Sequence, residues 1–177
     1  MTLPAPEELR TALEQLLPGV SLSVDGSALI VQDKDLLTVC RCLKSSDRFG
    51  MEYVANLTAV DYPTEQLIVM VYHLYSMAKK HGPITLKVKL PRANPVVGSL
   101  TPLWRGAEFQ EREVYDLFGV KFDGHPDLRR ILLWDEFQGH PMRKDYVVED
   151  QNVLERSSAS ASGGSEGIAS PRHEGQP

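Results

Sequence analysis

Cysteine is nearly absent: two in 177 residues, too few for a disulfide framework or an iron-sulfur cluster. Cys40 and Cys42 lie two positions apart, and on a helix such positions diverge by about 200°, which forbids a shared bridge or metal. The pair fits a reduced cytoplasmic compartment. A basic excess is also missing, because 19 Lys and Arg against 24 Asp and Glu leave a net charge of −5 and a pI near 5.5. Counterion-release binding needs that excess, so nucleic acid is not expected as a main partner. Long hydrophobic runs are lacking as well. The longest apolar stretch, Leu67 to Tyr72, is interrupted by His73, far short of the roughly 20 residues of a spanning helix. The start, MTLPAPEELR, has neither the basic opening nor the apolar run of a signal peptide. No membrane span or anchor is expected.

What is present suits a globular chain with its own core. The hydrophobic fraction is 42%, and a body of roughly 150 residues can bury about 70% of its unfolded surface. A short first helix is marked by Pro6 near its start, by Leu9, Leu13, Leu16 and Leu17 on one face, and by Pro18-Gly19 as a stop. Val20, Leu22 and Val24 alternate up to Asp25-Gly26, a strong hairpin signal, and Leu29 to Val31 return. Asp33 is placed to cap a second helix facing inward through Leu36, Cys40 and Leu43.

Three strands follow. Tyr53, Ala55, Leu57 and Ala59 alternate, and Leu67 to Tyr75 reads as a strand covered on both faces. Ile84 to Leu90 alternates strictly, with Lys87 and Lys89 on a solvated side where they would protect an edge. His73 reads as a hydrogen-bonded strand residue. The expected class is α+β: a mixed, largely antiparallel sheet with helices packed on one face, followed by an extended carboxy-terminal segment. Residues 1–98 would form an amino-terminal α/β domain, residues 99–150 a helix and a charged segment, and residues 151–177 a disordered Ser/Gly/Ala-rich tail.

Between Arg105 and Tyr146, 16 of 42 residues are charged, 38% against 24% overall. Ser99 or Thr101 can cap a helix from about Pro102 or Gly106 to Phe118, ending at Gly119. Ala107, Val114, Tyr115 and Phe118 share its inward face, with Glu111 in the middle. Glu108, Arg112 and Asp116 lie on another face, which taken alone is a solvated one. An inward carboxylate needs a cation or several donors, so Glu111 is expected to pair with Arg129, Arg130 or Arg143. Ile131 to Trp134 reads as strand-like. His125 and His140 stand on separate loops without a third nitrogen ligand, so no metal site is expected. Glu111 and Glu113 diverge on the helix, which rules out a paired acid and base. A nucleophile elbow and a phosphate loop are missing too.

One string is specific. Glu111-Arg112-Glu113, two residues, Asp116-Leu117-Phe118, six residues, His125, three residues, Arg129, one residue and Ile131-Leu132, followed later by GHPMRKDY, resembles the signature of the C-type subunit of proton-translocating NADH-quinone oxidoreductase. That is the thirty-kilodalton-type hydrophilic subunit of respiratory complex I. The resemblance covers roughly residues 5 to 150, with Phe109 and Gln110 standing where a tryptophan and an apolar residue are expected. It implies a peripheral-arm subunit without catalytic residues or a cofactor of its own, in a complex that uses NADH, FMN, iron-sulfur clusters and quinone. It implies a hetero-oligomer with the D-type, quinone-site subunit and with cluster-bearing subunits, at the cytoplasmic face of the bacterial inner membrane. Arg112, Asp116, Arg129, Arg130, Arg143, Lys144 and Asp145 would meet partner chains, with Trp134 and Tyr146 as anchors. An equivalent small subunit of a related membrane-bound hydrogenase or formate-linked complex carries the same motif.

Overall fold

The computed structural model describes residues 4–147; the tail expected at 151–177 lies outside them. Helix α1 (Pro6–Leu16) opens with a proline in its first turn, where the missing N–H costs nothing, and with Glu7 and Glu8 at the positive end of its dipole. It buries Leu9, Ala12 and Leu13, while Leu16, expected inward, is exposed and Leu17 packs instead. Strand β1 (Ser23–Asp25) starts later than the alternation suggests, because the Leu22 N–H is taken by Glu14 Oε1 at 3.1 Å. Gly26, at φ +61, turns the chain into β2 (Ala28–Val31). The side chain of Asp33 makes no cap. A 3-10 turn over Asp33–Asp35 leads instead into α2 (Leu36–Ser45), which buries Leu36, Val39, Cys40 and Leu43.

Strands β3 (Tyr53–Tyr62), β4 (Leu67–Ser76) and β5 (His81–Pro91) complete a sheet of order β1-β2-β5-β4-β3. Only the β2–β5 pair is parallel. A bulge between Val54 and Asn56 changes the phase of β3. Val54, Leu57, Ala59 and Asp61 therefore face inward and Tyr53 is exposed, which corrects the alternation read from Tyr53. The helices cover one face, where Ile68, Met70, Tyr72 and Leu74 of β4 and Leu86, Val88 and Leu90 of β5 form the core. The second face of β4 is not fully covered: Val71, His73 and Tyr75 are half-buried. Its apolar run is sheltered in part by the stems of Lys87 and Lys89, which stand in register with Val71 and Val69. Those lysines do not guard an edge, since β5 is central, and Lys87 pairs with Asp25 at 2.7 Å.

Strand β6 (Val96–Gly98), helix α3 (Ala107–Phe118) and strand β7 (Lys121–Asp123) follow, with β6 and β7 paired in parallel. That pairing crosses the boundary expected after residue 98. Residues through Tyr146 form one compact unit. Gln110, standing where an apolar residue is expected, makes polar contacts instead. Its side-chain amide accepts the Leu57 N–H at 2.6 Å and donates to Val54 O at 3.4 Å, pairing the free edge of β3 at the bulge as a neighbouring strand would.

Candidate functional site

Helix α3 ends at Gly119, whose φ of +73 suits the left-handed cap position. A Cβ there would stand 2.4 Å from His140 Nε2, so the glycine also admits the returning chain. That returning chain, residues 124–146, forms a strap over the helix. The last carbonyls of any helix lack intrahelical donors, and here the strap supplies them. His140 Nδ1 meets Asp116 O at 3.1 Å, the Met142 N–H donates to Leu117 O at 3.1 Å, and Arg143 Nε donates to Phe118 O at 2.7 Å. Guanidinium groups at this end also suit the helix dipole. Burial holds the His140 imidazole below its ordinary pKa.

Asp116 is the centre of the strap. Its Oδ2 accepts three successive amides, Ile131 at 3.1 Å, Leu132 at 2.8 Å and Leu133 at 2.9 Å, and its Oδ1 accepts Arg130 Nη1 at 2.6 Å. Successive strand amides point to opposite sides, whereas three converging ones make an anion-binding turn. The strand-like reading of Ile131 to Trp134 is corrected for this reason. Burial alone would raise the Asp116 carboxyl, but its amide donors and Arg130 outweigh burial and hold it below the usual range. Arg130 continues to the carbonyls of Phe137 (3.0 Å) and Gly139 (3.3 Å), and Arg112 donates to those of Arg129 (3.2 Å) and Arg130 (3.1 Å).

Among the described residues Glu111 has no arginine partner. It is wholly buried and accepts Ser99 Oγ at 2.6 Å, the Leu100 N–H at 2.6 Å and Thr101 Oγ1 at 3.3 Å, so donors of the 99–101 loop take the place expected for a cation. His125 Nε2 stands 4.0 Å from Glu111 Oε2. His125 Nδ1 accepts the Asp127 N–H at 3.0 Å and Nε2 faces Glu108 O at 3.0 Å, which orients the ring with its Nε2–H toward that carbonyl. Burial, only partly offset by the donors, pushes the Glu111 carboxyl above its ordinary value. Glu111→Gln, which keeps an acceptor, should cost under about 1 kcal/mol at neutral pH, whereas Glu111→Ala orphans buried donors and should cost about 1–3 kcal/mol or more. The sign with pH follows from the raised value. The carboxyl's contribution is full below its unfolded pKa and is lost as pH rises through the folded one, so E111Q should gain on the parent over that range. Urea denaturation at several pH values reads both effects.

Two strap arginines, Arg130 and Arg143, turn in toward the helix and are half-buried, whereas several large apolar side chains of the strap face out. Arg112, Asp116, Arg130 and Arg143, expected at partner chains, are engaged within the chain, and the solvated helix face read from Arg112 and Asp116 is buried under the strap. Asp145 pairs with Arg92, and Lys144 sits over the Tyr62 ring at 5.6 Å. Arg129, paired with Asp127 at 2.9 Å, Glu113, Lys144 and Asp145 remain exposed, as do Asp135 and Glu136. Leu132 is 62% exposed and Trp134 64%, and Ile131, Met142 and Phe109 of α3 are exposed too. Trp134 meets Phe137 edge-on at 4.9 Å, and Phe137 stacks on the half-buried Tyr146 at 6.0 Å. Exposed apolar clusters are common at protein contact surfaces.

Among the described residues no group of three or more His, Cys, Asp and Glu side chains is placed to hold a metal, and no helix is long and apolar enough to cross a membrane. Asp61 and Arg92, which also hold the strap, escaped the sequence reading. The signal that could have found them was Asp61 itself, a carboxylate continuing the inward stripe of Leu57 and Ala59.

A family model described as "Respiratory-chain NADH dehydrogenase, 30 Kd subunit" matches residues 29–152. The C-type subunit of the NADH-quinone oxidoreductase of Moorella thermoacetica is 48% identical over 141 residues, covering 78% of this chain and 93% of that protein. The same subunit of Roseiflexus castenholzii is 41% identical over 146 residues, covering 82% and 83%. Among solved structures, a chain of the membrane-bound sulfane sulfur reductase, an archaeal respiratory membrane complex, superposes with a TM-score of 0.68 over 96% of each chain. At 22% identity that likeness is one of fold. A trypsin-resistant fragment of Nqo5 superposes with a TM-score of 0.56 at 27% identity, over 69% of this chain and 98% of the fragment.

Proposed function

The chain belongs to the 30 kDa subunit family of respiratory-chain NADH dehydrogenase, and from that membership we propose that it is a non-catalytic peripheral-arm subunit of a membrane-bound NADH-quinone oxidoreductase. Its work is assembly: it holds the quinone-site subunit and the cluster-bearing subunits in place while electrons pass from NADH through FMN and iron-sulfur clusters to quinone with proton translocation. The chain binds none of those cofactors and lies at the cytoplasmic face of the inner membrane. One observation carries this reading, the strap whose Arg130 and Arg143 are spent on its own fold and whose Leu132 and Trp134 are left outward. A surface of this kind gains from burial against another protein and offers no nucleophile or proton-transfer pair of its own.

Deletion of the gene tests the role. Membranes from the deletion strain should lose NADH-dependent quinone reduction, and a plasmid copy should restore it. Full quinone reductase activity without the chain would overturn the proposal. The alternative, an equivalent small subunit of a hydrogenase or formate-linked complex, predicts loss with hydrogen or formate as donor while NADH oxidation persists.

A further inference from the structure

We propose that Asp61 and Arg92, neither of which belongs to the recognised signature, are positioning residues for the docking surface: together they fix the far end of the strap and through it the aromatic row Tyr146, Phe137 and Trp134. The inference rests on the reading of the strap as an interface. Asp61 closes the inward stripe of β3 and is 2% exposed. An aliphatic residue there would join the core without the desolvation cost of a carboxylate. The carboxylate instead takes Arg92 in a two-pronged pair, Nε to Oδ1 at 2.6 Å and Nη2 to Oδ2 at 3.0 Å, and accepts the Lys144 N–H at 2.8 Å on Oδ2. Arg92 is itself tied down, its N–H donating to Gln66 O at 2.9 Å, and its guanidinium also holds the Asp145 carboxylate.

No residue from 143 to 146 belongs to the apolar core. Residues 144 and 145 are instead held to the body by Asp61 on β3 and Arg92 just after β5, beside the Arg143 bond to Phe118 O and Lys144 over the Tyr62 ring. Tyr146 follows directly, its N–H bonded to Arg143 O at 3.1 Å and its ring stacked on Phe137. Gly139 allows the approach, since a Cβ there would stand 2.9 Å from the Tyr146 ring. Phe137 in turn sets the edge-on contact with Trp134. Asp116 anchors the strap at residues 130–133, and Asp61 anchors it at 144–145, so the two latches are separate and can be released separately.

The test compares Asp61→Asn with the parent in the full-length isolated chain and in solubilised membranes. Amide exchange of residues 142–146 should accelerate about tenfold or more in D61N, while the amides of residues 131–133, held by Asp116, keep their parental rates. At matched concentration of folded chain, capture of the other subunits should fall at least about threefold, a loss that a purely global stability effect would not produce. Lys144→Pro removes the amide donor without altering the body and gives the same reading should D61N fail to fold. Trp134→Ala is the control for the interface itself, expected to lower capture with exchange at 142–146 unchanged. Unchanged exchange in D61N and K144P, or faster exchange with undiminished capture, would overturn the positioning role. Undiminished capture by W134A as well would instead remove the interface reading on which it rests.

Discussion

Asp116→Asn should destabilise the isolated chain by about 3–5 kcal/mol, the usual cost of breaking a buried charge pair by removing one partner. The asparagine amide can accept at one atom only. Its NH2 must then face either Arg130 or the three amides of Ile131, Leu132 and Leu133, donor against donor. For a chain of this size each kcal/mol is about 2–4 °C in melting temperature, so the expected fall is roughly 6–20 °C. The effect should depend on pH with a definite sign. Because the Asp116 carboxyl is held below its ordinary range, its contribution is complete above the unfolded value near about 3.9 and disappears as pH falls through the folded value. Parent and D116N should therefore converge in strong acid and differ most at neutral pH. A D116N chain that melts with the parent at pH 7 would show that the latch contributes nothing.

The second large effect concerns assembly rather than stability. Leu132→Asp and Trp134→Asp alter exposed side chains, and such changes lie within about 0.5 kcal/mol of the parent in the isolated chain. Against a partner, each places an unpaired carboxylate in the contact, and loss of a central anchor is worth about 2 kcal/mol or more, roughly thirtyfold in affinity. Arg143→Glu should behave in the opposite way. Its Nε holds the Phe118 carbonyl at the end of α3, so reversal should lower the melting temperature of the isolated chain. Melting curves paired with the yield of assembled complex separate the two classes. Normal assembly by L132D and W134D would place the interface elsewhere on the chain.

The regular elements are legible in the sequence because each follows a local rule. Pro6, the Asp25-Gly26 turn, the alternation from Ile84 to Leu90 and Gly119 fix α1, the β1–β2 hairpin, β5 and the end of α3 with little help from the rest of the chain. Where sequence and structure differ, a partner distant in sequence decides the outcome. The β3 bulge is joined to Gln110 across 53 residues, and the inward Asp61 finds Lys144 across 83. Helix periodicity places Glu111 correctly in the buried face, but it carries no information on which donors answer it, and those of Ser99 to Thr101 arrive from a loop. The same limit explains the charged third of the chain. Charge density along a sequence does not say which charges face inward, and here it is Arg130 and Arg143 that turn onto Asp116 and the carbonyls of α3. The signature resemblance identifies the family but does not distinguish residues that build the docking surface from residues that form it.

Co-purification is the decisive measurement for the assembly role. A tagged copy of this chain, extracted from membranes in gentle detergent, should bring down the quinone-site and cluster-bearing subunits of one NADH-quinone oxidoreductase in stoichiometric amounts. D116N and L132D should each deplete them. Recovery of the chain alone from the aqueous fraction, with no respiratory subunit attached, would contradict that role.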